Sequence, residues 1–284
     1  MSREPSFGTW EEAVIWLREQ PERQQLVLDA FYDDPLIEAA KRYAASSEWL
    51  EITRLLSGRS GRALDVGAGR GIASYALAKL GFEVVALEPD PSAIVGAGAI
   101  KQLARDAGLQ IDVTEEFSER LPYADSSVDV VFARAVLHHS RDLRAACREI
   151  YRVLRPGGIF IAARDHVITR VSDLPRFLDL HPLHALYGGE HAYLLSDYTS
   201  ALEEAGFASL RVLPPLTSSI NLFPYTFDTL RDAIVDKLSS VVVIRPVWKF
   251  LLSSPTLFSL FLSVGEKFDD RPGRLYSFVG KKAL

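Results

Sequence analysis

Cysteine is almost absent from this chain of 284 residues, and the single one, Cys147, excludes an internal disulfide. Residues 1–8 hold no apolar signal region, and together the two absences set the expectation of a cytoplasmic protein. Positive charge is short as well. With a formal net charge of -5 and a pI near 5.7, the surface has no overall pull toward phosphate backbones, so nucleic acid is not an expected partner. Long apolar runs are missing too. The nearest case, residues 241–264, is interrupted by Arg245, Pro246, Lys249 and Pro255, whereas a spanning helix needs roughly 20 clean apolar residues. Burial inside the protein is expected there, with no stable membrane insertion. There is no internal repeat and no low-complexity tract. What is present, 48% hydrophobic and 24% charged residues, suffices for a sizeable core beneath a charged surface. The length fits one α/β core carrying additions.

Residues 1–61 read as an N-terminal helical layer. Thr9 can cap a helix while Glu12, three positions on, closes a capping box, and Trp10, Val14 and Leu17 then share one face. Further helical patterns cover residues 23–31 and 36–56. From Arg62 the pattern changes to short apolar runs, each followed by a glycine or acidic turn and a helical segment, which is a βαβ rhythm. Strands are expected at 63–66, 83–87, 110–113, 128–133 and 159–163, with a sixth at 207–213 and a seventh at 274–280. Few polar residues interrupt Val84-Val85-Ala86-Leu87 or residues 128–132, as suits parallel strands covered on both faces. A doubly wound, Rossmann-like seven-stranded α/β sheet follows, formed by residues 62–213 plus 274–284. Residues 214–273 interrupt it as a helical insertion or cap.

The segment Leu64-Asp65-Val66-Gly67-Ala68-Gly69-Arg70-Gly71 follows the first strand and opens a helix. Its glycines permit a tight turn and close approach of backbone to a ligand, and the helix amides favour a negative group. Glu88 ends the second strand, where a carboxylate can accept both hydroxyls of a ribose. The same pair also describes nicotinamide-binding dehydrogenases, so the decision comes from downstream. There, Glu119-Arg120-Leu121-Pro122-Tyr123 leads into Val128-Asp129-Val130-Val131-Phe132, then Val136-Leu137-His138-His139, residues 149–154 and Arg155-Pro156-Gly157-Gly158. Over residues 63–163 this series resembles the class I S-adenosylmethionine-dependent methyltransferases of the small-molecule type, particularly the ubiquinone and menaquinone branch.

The resemblance implies S-adenosylmethionine as cofactor and a small molecule as methyl acceptor. It implies that Asp65, Gly67, Ala68, Gly69 and Gly71 line the methionine part and that Glu88 holds the ribose. Pro89 would sit beside the adenine, and the turn of Arg134 and Ala135 would close the pocket below. Where such enzymes often place an aspartate for the adenine amino group, this chain has Phe117 and Ser118. Adenine would then stack on Phe117 and bond to backbone, or Glu116 would substitute if the register slips by one.

His139 and His166 follow strands four and five at the carboxyl end of the sheet, where ligands bind in open α/β folds, and either suits a general base. Residues 165–195 form a long connection expected to supply acceptor contacts from His181, His184, Tyr187, Glu190 and His191. No metal site is expected, because adjacent residues such as His138 and His139 point apart on a strand or loop and the later histidines lack zinc spacing. Cys147 falls on the stripe Leu143, Cys147, Ile150, Leu154 and reads as core. On the opposite face, Arg141, Arg144, Arg148, Arg152 and Arg155 read as solvated. The insertion carries Phe223, Tyr225, Phe227, Trp248, Phe250, Phe258 and Phe261, which suggests a roof over an apolar or amphipathic acceptor, or equally a homodimer interface. Two other readings stand beside methyl transfer: a non-catalytic cofactor-binding scaffold and an NAD-dependent oxidoreductase. An open cavity joining the sulfur position to His139, His166 and His181 separates the scaffold from the enzyme.

Overall fold

Thr9 and Glu12 form the capping box read from their spacing, each side chain accepting from the other's backbone amide. They open α1 (Trp10–Arg18), whose inner face buries Ala13, Val14 and Leu17. α2 (Gln24–Asp29) follows, but the single helix expected at 36–56 is two, α3 (Leu36–Ala44) and α4 (Ser47–Leu55). The break comes at Ser46, whose hydroxyl accepts from the Trp49 amide at 3.1 Å and starts a new helix. The computed structural model describes residues 5–241 and 245–284; residues 1–4 of the N-terminal layer and 242–244 of the interrupted apolar run lie outside the described residues.

The alternating part runs β1 (Arg62–Val66), α5 (Ile72–Lys79), β2 (Glu83–Leu87), α6 (Ala97–Ala107), β3 (Ile111–Thr114), β4 (Val128–Arg134), α7 (Leu143–Val153) and β5 (Leu154–Ile168). Next come α8 (Leu174–Leu180), α9 (His184–Tyr187), β6 (Tyr193–Leu194), α10 (Leu195–Ala205) and β7 (Ser209–Leu213). The insertion holds α11 (Ser219–Leu222), α12 (Phe227–Val241), α13 (Arg245–Ser253) and α14 (Pro255–Phe268), before β8 (Arg274–Lys281). Sheet order is β3-β2-β1-β4-β5-β8-β7, with β8 antiparallel to both neighbours and every other pair parallel. The expected seven strands are all present. The two-residue β6, which pairs with the end of β5, makes an eighth.

Strand geometry sends alternate side chains to opposite faces. Val130 and Phe132 join one core with Tyr43, Trp49 and Ile52 of the N-terminal helices, while Val131 and Ala133 join the other with Cys147, Ile150 and Tyr198. Cys147 is core, as its stripe indicates, and burial pushes its thiol up to about 12. Within the basic stripe, Arg144 pairs with Glu204, Arg152 with Asp125 and Glu149, and Arg155 with Asp129.

β5 extends well beyond the expected 159–163. It is bent by a bulge between Ala162 and Asp165, where Arg164 takes a φ of 64°. A bulge re-aims the side chains that follow it, and here Asp165 ends fully buried. The insertion aromatics do not form the expected roof. Phe258 packs with Val235, Leu252, Leu262 and Trp248 in the insertion's own small core, and Phe250, Phe261, Tyr225 and Phe227 are exposed. Phe223 reaches the main body, stacking on Phe31 at 5.3 Å, and Phe227 lines a cavity beside α4. Among the described residues no single helix is long and apolar enough to cross a membrane; α13 and α14 would pass only together, across a 98° bend.

Candidate functional site

β1 lies between β2 and β4, so the crossovers leave β1 on opposite sides and open a crevice at the carboxyl ends of β1 and β4. The glycine turn stands at that point, with Gly67, Gly69 and Gly71 at φ values of 62°, 53° and 81°. A side chain on Gly67 would strike Val136, just beyond β4, at 2.6 Å. At Gly69 no atom lies within 4 Å of a would-be Cβ, which is room for a ligand against bare backbone. Ala68 is buried between them.

Glu88, buried at the end of β2, bridges the turn: Gly69 N donates to its Oε2 at 2.7 Å and Asp90 N to its Oε1 at 3.0 Å. Burial raises its pKa, and these two amide bonds oppose the shift. A carboxylate offers about four lone-pair sites, so two hydroxyls can still be accepted. The set therefore fits a nucleoside ligand. Pro89 is half-buried beside it. Asp65 is wholly buried under the turn and accepts from Ser74 Oγ at 2.6 Å, bracing β1 against α5. Desolvation pushes its carboxyl up to about 7 in spite of that bond.

Phe117 stands 62% exposed on the loop after β3, and Ser118 bonds its neighbour Glu119; neither folds over Glu88 in this structure. Ala135 forms the turn after β4 with φ 55°, donating to Ala163 O at 2.7 Å. Arg134, by contrast, points to a buried acid the sequence reading passed over. Its guanidinium forms a two-pronged pair with Glu48 of α4 at 2.6 and 2.9 Å, and Arg164 stands 3.7 Å from the same carboxylate. Arg70, also unremarked, runs under the N-terminal helices to Phe31 O, Asp33 O and Asp34.

On the same sheet edge, the structure gathers His138, His139, His166, His181 and Glu190. Here the expectation that His138 and His139 diverge is corrected: a 3-10 turn (Leu137–His139) sets their rings 4.1 Å apart. Successive residues of a 3-10 turn are about 120° apart rather than opposed. His138 is buried, its Nδ1 2.9 Å from Asp165 Oδ1. Burial alone would lower its pKa, but the Asp165 and Glu190 carboxylates outweigh that and raise it to about 9. Glu190, which burial would raise, is instead drawn down to about 2 by His138 and its histidine neighbours.

His139 places Nδ1 3.0 Å from Gly189 O, and His166 places Nδ1 2.9 Å from Gly273 O. Desolvation, joined by the charge of His138, lowers both, His166 to about 3. His181, also lowered by burial, approaches Glu190 Oε1 at 3.8 Å. The remaining acceptor-loop residues stay outside this group. Tyr187 packs at 6.0 Å from Trp10, His191 lies against Tyr193, and His184 sits in α9. α9 is itself roofed by the N-terminal layer, through Phe7 N to Leu186 O and a shared core with Ala13, Leu17 and Val27.

Two cavities, of about 370 and 480 Å³, lie away from both groups, one between β5, β6, α14 and β8 and the other between α4 and the β7–α11 connection.

The comparisons agree with this architecture. The methyltransferase domain family matches residues 64–162. A ubiquinone biosynthesis O-methyltransferase of Methylobacterium sp. (strain 4-46) is 36% identical over 100 residues, covering 35% of this chain and 39% of the relative. The chain thus spans about two-fifths of the length of that curated relative. A protein of Aspergillus sclerotiorum named O-methyltransferase resE is 31% identical over 244 residues, covering 84% of this chain and 79% of the relative. Among solved structures, phosphoethanolamine N-methyltransferase 2 of Haemonchus contortus, in complex with S-adenosyl-L-methionine, has TM-score 0.55 at 19% identity over 83% of this chain and 52% of that one. The [4+2]-cyclase SpnF has TM-score 0.51 at 22% identity, over 82% of this chain and 80% of that one.

The fold and the crevice define a Rossmann-like nucleotide-binding protein of the methyltransferase type. With a relative aligned across most of both chains, this protein belongs to the class I S-adenosylmethionine-dependent methyltransferases. The nicotinamide reading is not favoured.

Proposed function

We propose that the protein transfers the methyl group of S-adenosylmethionine to a hydroxyl of a small-molecule acceptor. The observation that carries this is the facing of Gly69 and Glu88 across the switch-point crevice, on the same strand ends that gather the histidines. O-methylation is the chemistry named for the ubiquinone relatives and for the Aspergillus protein, and an apolar acceptor now rests on the first of those names alone.

When bound, the cofactor supplies a methyl carbon on a positively charged sulfur. The residues of this chain do the positioning. Glu88 would accept from the ribose hydroxyls, the amides of 67–71 would hold the aminoacyl end, Pro89 would flank the base, Phe117 would have to fold in from its exposed loop to join it, and the Ala135 turn would close the crevice below. The hydroxyl proton leaves toward the histidine group, with His139 at its exposed rim and His166 deeper. His181 and Glu190 border the acceptor, and His184, Tyr187 and His191 belong to the outer part of that loop. Residues 214–273 cap the sheet rather than line the crevice.

Titration calorimetry with S-adenosylhomocysteine tests the first half: one equivalent should bind. Incubation with S-adenosylmethionine and a panel of small phenols and metabolites then tests the second, through a mass gain of one methyl. Failure to take up the demethylated cofactor rejects the reading.

A further inference from the structure

Glu190 is the centre of the histidine group, yet its Oε2 is buried with no hydrogen-bond partner. Two imidazole nitrogens face that oxygen, His138 Nε2 at 3.5 Å and His139 Nε2 at 3.9 Å. Both distances exceed the usual 2.7–3.2 Å of an N–H···O bond. They are close to the edge of a coordination tetrahedron, about 3.3 Å for ligand bonds of 2.0–2.1 Å.

The outer nitrogens of the same rings are already held. His138 Nδ1 lies 2.9 Å from the Asp165 carboxylate and His139 Nδ1 3.0 Å from the Gly189 carbonyl, and a carbonyl there requires the ring to donate. Each bond fixes its ring with Nε2 turned toward Glu190, the arrangement by which carboxylates and carbonyls orient metal-ligating histidines. Depth is graded as well: the His138 side chain is 2% exposed, Glu190 13% and His139 43%.

We propose that His138, His139 and Glu190 form a binding site for one divalent transition-metal ion, Zn²⁺ in the first instance. Two imidazoles and one carboxylate suit a borderline cation better than Mg²⁺ or Ca²⁺, which prefer all-oxygen shells. Three protein ligands leave a fourth position open on the His139 side, as in catalytic rather than structural zinc sites. His166 and His181, with ligand atoms also within 4.8 Å of Glu190, form the adjoining wall. The proposal concerns metal binding alone and does not depend on methyl transfer; with the ion bound, both nitrogens of His139 are engaged and the role of proton acceptor passes to His166, whose Nδ1 alone is held by a carbonyl.

The experiment titrates the full, tag-free chain, stripped with chelator, with Zn²⁺ by calorimetry and with Co²⁺ by visible ligand-field absorption. One equivalent of each should bind. Asp165→Asn, which alters only the partner of His138, should weaken Zn²⁺ binding about 10–100-fold, and His139→Ala and Glu190→Gln at least as much. Near-ultraviolet circular dichroism checks that each variant is folded. No one-equivalent uptake at 100-fold molar excess of metal overturns the proposal, as does unchanged affinity in both folded ligand variants. Metal uptake without S-adenosylhomocysteine binding supports this site and rejects the methyltransferase reading; the converse result does the reverse.

Discussion

At the scale of single residues, the two outer faces of the glycine turn separate stability from binding. Gly67→Ala adds a methyl 2.6 Å from Val136 on a left-handed backbone, so it should cost about 2–4 kcal/mol of unfolding free energy in urea. Gly69→Ala meets no protein atom. It should cost only about 1–2 kcal/mol, the price of the left-handed conformation, yet reduce S-adenosylhomocysteine affinity at least about tenfold by occupying the crevice. Glu88→Ala should reduce it by a similar factor or more, since a hydrogen bond to a charged group contributes about 1.5–3 kcal/mol. Unchanged affinity in both variants would show that the ligand lies elsewhere. Asp65 gives a pH signature. Its buried carboxyl titrates near 7 against an ordinary 3.8, so the native state holds more protons than the unfolded chain between those values. Stability is therefore undiminished below about pH 4, falls as pH rises toward 7 and levels off above it. Urea midpoints at pH 5 and pH 8 should show the decline, and Asp65→Asn should flatten it. The glycines and Glu88 were legible because a turn and a strand end leave fixed marks in sequence. His138 was not, since its value depends on a 3-10 turn that its neighbours do not announce, and on Asp165, which only the bulge in β5 brings underneath it.

At the scale of elements, α4 is tied to the sheet by an ion pair rather than by apolar contact alone. Glu48 is fully buried and holds Arg134 of β4, with Arg164 of β5 close by. Removing one partner of a buried pair leaves an uncompensated charge, so Glu48→Ala should cost about 3–5 kcal/mol; a loss under 1 kcal/mol in denaturant titration would mean the helix docks without it. Ser46→Ala, removing the cap that divides α3 from α4, should cost about 1 kcal/mol. The βαβ alternation was readable because parallel strands are uniformly apolar. The α3–α4 break was less so, because apolar spacing runs through it and only the serine marks the restart. Glu48 escaped notice because an acid in a helix pattern reads as solvent-facing until its arginine arrives from sequence 86 residues away. The insertion aromatics misled for a related reason: aromatic content reports burial, not which surface it faces.

At the scale of the whole molecule, the N-terminal helices and the acceptor loop form one unit, though they are more than 150 residues apart in sequence. Leu186, fully buried among Ala13, Leu17 and Val27, is the link. Leu186→Ala should cost about 2–5 kcal/mol and speed amide hydrogen exchange across 184–191, the segment that carries Glu190. Exchange confined to residue 186 would show that the loop keeps its shape without the helices. Neither partner advertises the other, since each alone has the pattern of a surface element. The placement of β8 between β5 and β7 has a consequence of another kind. β7 reaches the rest of the sheet only through a strand made some sixty positions later, so while the polypeptide is being synthesised the edge of β5 stands bare until that late segment emerges. Joining the ends of a longer intervening stretch costs little more than joining a shorter one, about 0.6 kcal/mol per doubling. The stretch between β7 and β8 is thus where evolution can lengthen or exchange material most cheaply, provided the closing strand still finds its slot.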